Sequence, residues 1–153
     1  MLSDRDIVRA MKEGKIKIIG FSEDSLTPNG YDLRIGEIMV PSRNIHIKEG
    51  SVSIPPLTRF LIGTHEEVHL DSNHTGEIWI KSRWARRGVL ASFGLVDAGF
   101  RGILTLGAFA TEEIEIRVGD KFAQICFFSL SSSAEKDYSQ RSGNYQNQKS
   151  IRI

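Results

Sequence analysis

A chain of 153 residues is long enough for one domain with one substantial core. Its 20 Lys and Arg nearly cancel its 19 Asp and Glu, leaving a formal net charge of +1, with 40% hydrophobic and 25% charged residues. That balance is ordinary for a globular protein and argues against a general nucleic-acid binder, whose surface would be strongly basic, while leaving room for a local basic pocket. No run approaches the roughly 18 apolar residues that span a membrane. The opening MLSDRDIVRAMKEG is too polar for a signal peptide. The one cysteine, Cys126 in FAQICFF, reads as a buried thiol in a reducing compartment. A cytoplasmic protein is expected.

Residues 3 to 13 read as a short amphipathic helix. Ser3 suits the N-cap, Asp6 can close a capping box, and Gly14 suits the stop. Strand patterns follow: KIKII (15–19), YDLRI (31–35), NIHIK (44–48), SVSI (51–54), RFLIG (59–63), GEIWIKS (76–82), GILTLGAF (102–109), EIEIRV (113–118) and FAQICFF (122–128). Several alternate with period 2, and turn signals such as Pro28-Asn29-Gly30, Pro55-Pro56 and Gly119-Asp120 separate them. Many short strands at this spacing mean a β-sandwich, jelly roll or barrel. The only other helical candidate is SRWARRG (82–88), one or two turns at most. Residues 131 to 153 form a polar tail beyond a single β domain at 1–130. The tail reads either as disordered or as a segment that orders over a ligand.

Three segments could carry chemistry. Asn29 to Arg34 contains Asp32, which suits either a charge pair at a strand edge or a place near a phosphate-bound cation. Ser82 to Arg87 gathers a hydroxyl with Arg83, Arg86 and Arg87, which reads as a solvated charged turn or as a phosphate cradle. Gly94 to Gly102 holds Asp97 in an apolar, glycine-punctuated stretch. Asp97-Ala98-Gly99 is a plausible hairpin turn, and a dehydrated carboxylate there could take a proton from water. Phe100 beside it suits a platform under a sugar ring or plain core packing. The four histidines have no zinc spacing, and there is no Walker A loop, nucleophile elbow or dinucleotide fingerprint.

Taken in order, five segments resemble the superfamily of trimeric dUTPases and zinc-independent dCTP deaminases: GYDLRIG (30–36), KSRWARRGV (81–89), GLVDAGFRG (94–102), VGDKFAQICFF (118–128) and YSQRSGNYQNQ (138–148). The termini look like the deaminase branch and the archaeal dUTPases allied to it. The resemblance implies an all-β distorted jelly roll of the dUTPase-like β-clip type, with a short N-terminal helix, assembling as a homotrimer with active sites between subunits. It implies dUTP as substrate and Mg²⁺ held mainly by the triphosphate.

By the same resemblance Asp97 activates the attacking water, and Ser82, Arg83 and Arg86 bind phosphates. Phe100 stacks on the deoxyribose, and Gln124 supports the nucleotide. In the tail, Tyr145 is an aromatic lid and Gln148 a phosphate contact. Backbone groups from Ala91 to Gly94 and from Leu104 to Gly107, including those of Gly94 and Leu106, are expected to select the base. One position separates the branches. Deaminases carry a proton-shuttling Glu where this chain has Gly107, and often an Arg where it has Leu95. Hydrolysis of dUTP to dUMP and pyrophosphate is therefore expected, with dCTP deamination, alone or coupled to hydrolysis, as the alternative.

Overall fold

The computed structural model describes residues 1–153 and begins with the helix the sequence announces. In α1 (Asp4–Lys12) the Ser3 hydroxyl accepts from the Asp6 N–H, and the Asp6 carboxylate accepts from the Ser3 N–H, both at 3.3 Å. Two otherwise orphaned donors are thus satisfied, while Ile7 and Ala10 face the core.

The strands follow as β1 (Ile16–Ile19), β2 (Leu26–Thr27), β3 (Gly30–Val40), β4 (Ile45–Ile47), β5 (Ser51–Ile54), β6 (Thr58–Leu70) and β7 (His74–Ile80). A single turn, α2 (Ser82–Ala85), leads to β8 (Val89–Leu90), β9 (Leu95–Val96), β10 (Arg101–Ala110), β11 (Ile114–Arg117) and β12 (Lys121–Ser129). All pairings between strands are antiparallel, in the order β8-β10-β6-β3-β12-β7-β9; β1 joins β6, β2 and β4 join β3, and β5 with β11 makes a separate ribbon. This curled sheet is the distorted all-β jelly roll. Period-2 segments behave as alternation requires: Ile16 and Ile18 of β1, and Ile114 and Ile116 of β11, point inward with Lys17 and Glu115 outward.

The two central strands run longer than their apolar runs suggest. β6 extends seven residues past RFLIG, through Thr64 to Leu70. The extension carries buried polar groups whose partners are remote. Glu66 accepts from the Arg34 backbone N–H at 2.9 Å and from Arg34 Nε at 2.7 Å. Thr64 Oγ1 accepts from the Leu104 N–H at 2.9 Å. Asp32 is not a surface ion at a strand edge either; it is buried on β3, with Lys81 Nζ 2.5 Å from Oδ2. Its other oxygen, Oδ1, is buried without a partner.

The core holds an aromatic cluster in which Phe60, Trp84 and Phe93 surround Phe122, ring centroids 5.7–6.4 Å apart. Trp84 fixes the α2 turn, because its buried indole N–H donates to the Lys121 carbonyl at 2.9 Å. The guanidinium groups of Arg83 and Arg87 lie over its ring. Cys126 is buried, and desolvation, followed by the nearby Glu77 charge, raises its thiol pKa. No helix is long and apolar enough to cross a membrane.

Two features shape what lies at one end of the barrel. Asp97-Ala98-Gly99 does form a turn, with the Phe100 N–H donating to the Asp97 carbonyl at 3.1 Å, but the turn does not close a hairpin. β9 pairs with β7 while β10 pairs with β6, so the two arms part. The polar tail then packs on β10. It starts with a helical turn absent from the sequence reading, α3 (Tyr138–Arg141), capped by an Asp137–Gln140 box. Beyond it the Asn147 N–H donates to the Arg101 carbonyl at 2.7 Å, and the Ile103 N–H to the Gln148 carbonyl at 3.0 Å.

Gly102 permits this approach. Its φ is 142°, and a Cβ there would lie 2.8 Å from the Gln148 nitrogen and 2.9 Å from its carbonyl oxygen. Gly102→Ala is therefore expected to push the tail off β10. Amide hydrogen exchange across residues 144–149 should accelerate about tenfold or more, while exchange in β3 and β6 stays slow. Unchanged tail exchange would refute the close-approach argument.

Candidate active site

The parting of β9 and β10 leaves a cavity of about 520 Å³, roofed by the tail. Six of the expected site residues line it: Gly94, Asp97, Phe100, Leu106, Tyr145 and Gln148. Its volume suits a ligand of nucleotide size. The walls are mixed. Ile78, Val96, Ile103 and Leu104 supply apolar surface, and Thr105, Asn144 and Arg152 supply polar groups.

Asp97 is the only carboxylate among the lining residues, and Arg152 the only cation. Asp97 stands at an exposed edge, so the dehydration expected of a general base is not present in the single chain without a ligand. The same side chain also borders a smaller neighbouring recess that Lys136 and Arg141 line. Phe100 belongs both to the core and to the cavity lining. It is buried in the core, edge-on to Tyr138 with centroids 5.6 Å apart, and it forms part of the cavity wall. Tyr145 is half exposed in the roof, as a lid would be, its backbone N–H held by the Tyr138 hydroxyl at 3.0 Å.

Gln148 is 3% exposed and half satisfied. Its Nε2 donates to Thr105 Oγ1 at 2.6 Å, whereas Oε1 has no partner. An orphaned buried acceptor costs about 1–3 kcal/mol and seeks a donor. The donor end faces Thr105 Oγ1 and, at 3.4 Å, the Ile103 carbonyl, so in this arrangement the atom left for a ligand is an acceptor.

Ser82, Arg83, Arg86 and Gln124 are not brought to the cavity. Ser82, Arg83 and Arg86 are exposed on and just after α2, with Arg83 Nη2 3.6 Å from Asp120 Oδ2. Gln124 on β12 donates to Thr27 Oγ1 at 2.6 Å. Sequence reasoning missed Thr105 and Arg152. Thr105 has an inconspicuous hydroxyl within ILTLGAF, and Arg152 sits in SIRI beyond the last motif. Arg152 is tied down by its N–H to Thr105 Oγ1 at 3.3 Å and by its guanidinium to the Asn144 carbonyl at 2.9 Å.

Gly107 lines the same cavity, and a Cβ at this position would meet only Leu61 Cδ2, at 3.7 Å. Space does not exclude a glutamate there; the acid is simply missing. No group of three or more His, Cys, Asp or Glu side chains converges to hold a metal ion. One carboxylate at the cavity suits a cation whose ligands come mainly from substrate oxygens and water.

The dCTP deaminase-like family model matches residues 1–130. The chain is 40% identical over 143 residues to a Thermococcus kodakarensis protein named dCTP deaminase, covering 91% of this chain and 90% of that one. It is 44% identical over 136 residues to a Pyrococcus furiosus protein of the same name, covering 86% and 85%. It is 33% identical over 156 residues to a probable deoxyuridine 5'-triphosphate nucleotidohydrolase of Sulfolobus islandicus rod-shaped virus 1, covering 100% and 97%. In fold it is similar to the crystal structure of a 2'-deoxycytidine 5'-triphosphate deaminase from Agrobacterium tumefaciens, with TM-score 0.69 and 17% identity. That match covers 88% of this chain, which spans only 49% of the solved one. A native EIAV dUTPase superposes with TM-score 0.54 and 22% identity over 80% of this chain and 88% of its own. The family model and the archaeal relatives together place the whole β domain in one family: the chain is a member of the dCTP deaminase-like family.

Proposed function

We propose that this protein hydrolyses dUTP to dUMP and pyrophosphate. The observation that carries the reading is the acid inventory of the cavity: Asp97 is its only carboxylate, and Gly107 occupies the position from which a glutamate would shuttle protons in deamination. Phosphoester hydrolysis needs one group to orient and deprotonate water. Replacing the cytosine amino group needs a proton shuttle as well.

In the proposed reaction the nucleotide lies between the parted arms of β9 and β10, its sugar on Phe100 and Tyr145 above it. Asp97 holds a water in line with the α-phosphorus and takes its proton as the oxygen attacks. The bond from the α-phosphorus to the bridging oxygen breaks, and the electron pair leaves with pyrophosphate. Magnesium, carried in by the triphosphate, neutralises charge on that leaving group when bound. Gln148 Oε1 accepts from an N–H or O–H of the nucleoside rather than from its phosphates. Arg152 in the cavity, and Lys136 and Arg141 in the recess that shares Asp97 with it, are the cations the chain itself supplies there.

We further propose a homotrimer in which a neighbouring subunit supplies Ser82, Arg83, Arg86 and Gln124. Two observations support it. The four residues lie outside their own chain's cavity, and Leu95 in its lining, with Trp79 and Leu90 in adjoining recesses, are all more than half exposed. The second reading, dCTP deamination, is favoured by the names of the archaeal relatives. It requires another group to do the work of the missing glutamate.

Purified protein with magnesium and either dUTP or dCTP, assayed for pyrophosphate and ammonia together, separates the readings. Pyrophosphate from dUTP without ammonia from dCTP is expected; ammonia would overturn the argument from Gly107. Asp97→Asn should keep nucleotide affinity and lose about 10²- to 10⁴-fold in kcat. Equal rates would remove Asp97 from the chemistry. Asp97→Asn and Arg86→Ala subunits, each inactive alone, should recover about one quarter of wild-type activity when co-expressed in equal amounts, because a quarter of the shared sites then carry both intact groups. No recovery would place Arg86 outside a shared site.

A further inference from the structure

The proposed reaction leaves the buried carboxylate of Glu37 unused. Glu37 lies on β3, its side chain 5% exposed, and both of its oxygens point at the end of the chain. Oε1 accepts from the Ile151 backbone N–H at 2.6 Å, and Oε2 from the Ser150 hydroxyl at 2.9 Å. His46 Nε2 lies 2.6 Å from Oε2 and Lys48 Nζ 3.9 Å from it. The opposite position on β6 is Gly63, where a Cβ would stand 2.6 Å from Glu37 Cγ. Position 63 is thus kept empty so that the carboxylate can fold over it toward the tail. Ile151, gripped on its N–H, is itself buried.

We propose that Glu37 is a positioning residue for the nucleotide reaction: it clamps residues 150–151 and thereby holds Tyr145, Gln148 and Arg152 over the cavity. The inference rests on reading that cavity as the nucleotide site. Other ties on the same stretch are weaker in kind. Lys149 Nζ meets Glu67 Oε1 at 2.6 Å, but the lysine is two-thirds exposed, and exposed pairs contribute little. Thr105 Oγ1 receives the Arg152 N–H at 3.3 Å, a neutral and longer bond. Glu37 offers two bonds to a charged, buried acceptor, the strongest hydrogen bonds available to the tail. Glu37 makes no contact with the cavity; it acts only through the residues it holds.

The test compares wild type, Glu37→Ala, a truncation lacking residues 150–153, and the combination. Hydrogen exchange of residues 144–149, measured without nucleotide, reads the clamp directly. Each single change should speed it about tenfold or more, and the combination no further. KM for the nucleotide should rise about tenfold in Glu37→Ala and further in the truncation, which also removes Arg152, while the combination should match the truncation, with kcat changing less. Multiplicative effects on KM, or tail exchange as slow in Glu37→Ala as in wild type, would overturn the proposal, since a merely structural Glu37 would weaken the protein independently of the tail. If Glu37→Ala fails to fold, Ser150→Ala in the intact chain carries the same exchange and KM readouts, with smaller effects expected. Wild-type protein that turns over neither dUTP nor dCTP, while the variants still release the tail, would refute the nucleotide reading and leave the clamp standing.

Discussion

The open edge of β10 is the constraint on which the site depends. β10 pairs with β6 along one side, but on the other only Phe109 and Ala110 meet a strand, β8. From Gly102 to Leu104 the chain is buried and has no strand neighbour on that side. Buried amide and carbonyl groups must find partners. The chain meets that demand with its own C-terminal segment, through Asn147 and Gln148, and the cavity opens beside this seam. The tail therefore has two structural effects at once: it completes the hydrogen bonding of β10 and roofs the space between the two arms.

Much of the architecture was legible because it rests on local patterns. The Ser3–Asp6 box, the alternation in β1 and β11, and the apolar runs of β10 and β12 carry their geometry in neighbouring residues. The failures share one cause. The second half of β6 looks like a polar loop because Thr64 and Glu66 are satisfied by Leu104 and Arg34, tens of residues away. Asp32 looks like a surface ion because Lys81 lies 49 positions along the chain. The α3 turn did have a local signal, Asp137 followed three residues later by Gln140, hidden in a stretch whose polarity drew the eye.

The site was legible in part for a related reason. The Asp97 turn concentrates its chemistry within a few residues, so Gly94, Asp97 and Phe100 could be named together, and they line one cavity. The arginine-rich turn could be picked out as a cluster of donors but not assigned to the cavity, which it does not reach in the single chain. Gln148 was found for its type and position, but its orientation depends on Thr105, which no motif marks. The absence at Gly107 mattered as much as any residue present. A strand position with room for a side chain and none supplied narrows the chemistry available at that wall.

Glu37 and Gly63 face each other across two strands, and each one's size is set by the other. Any side chain at 63 would collide with the carboxylate, while a shortened residue at 37 would leave a void and an ungripped tail. The two positions are physically coupled: a methyl group at 63 would have to push the acid aside, and with it the grip on the C-terminal segment. The end of the chain is in this way written into the middle of the barrel, 114 residues before it appears.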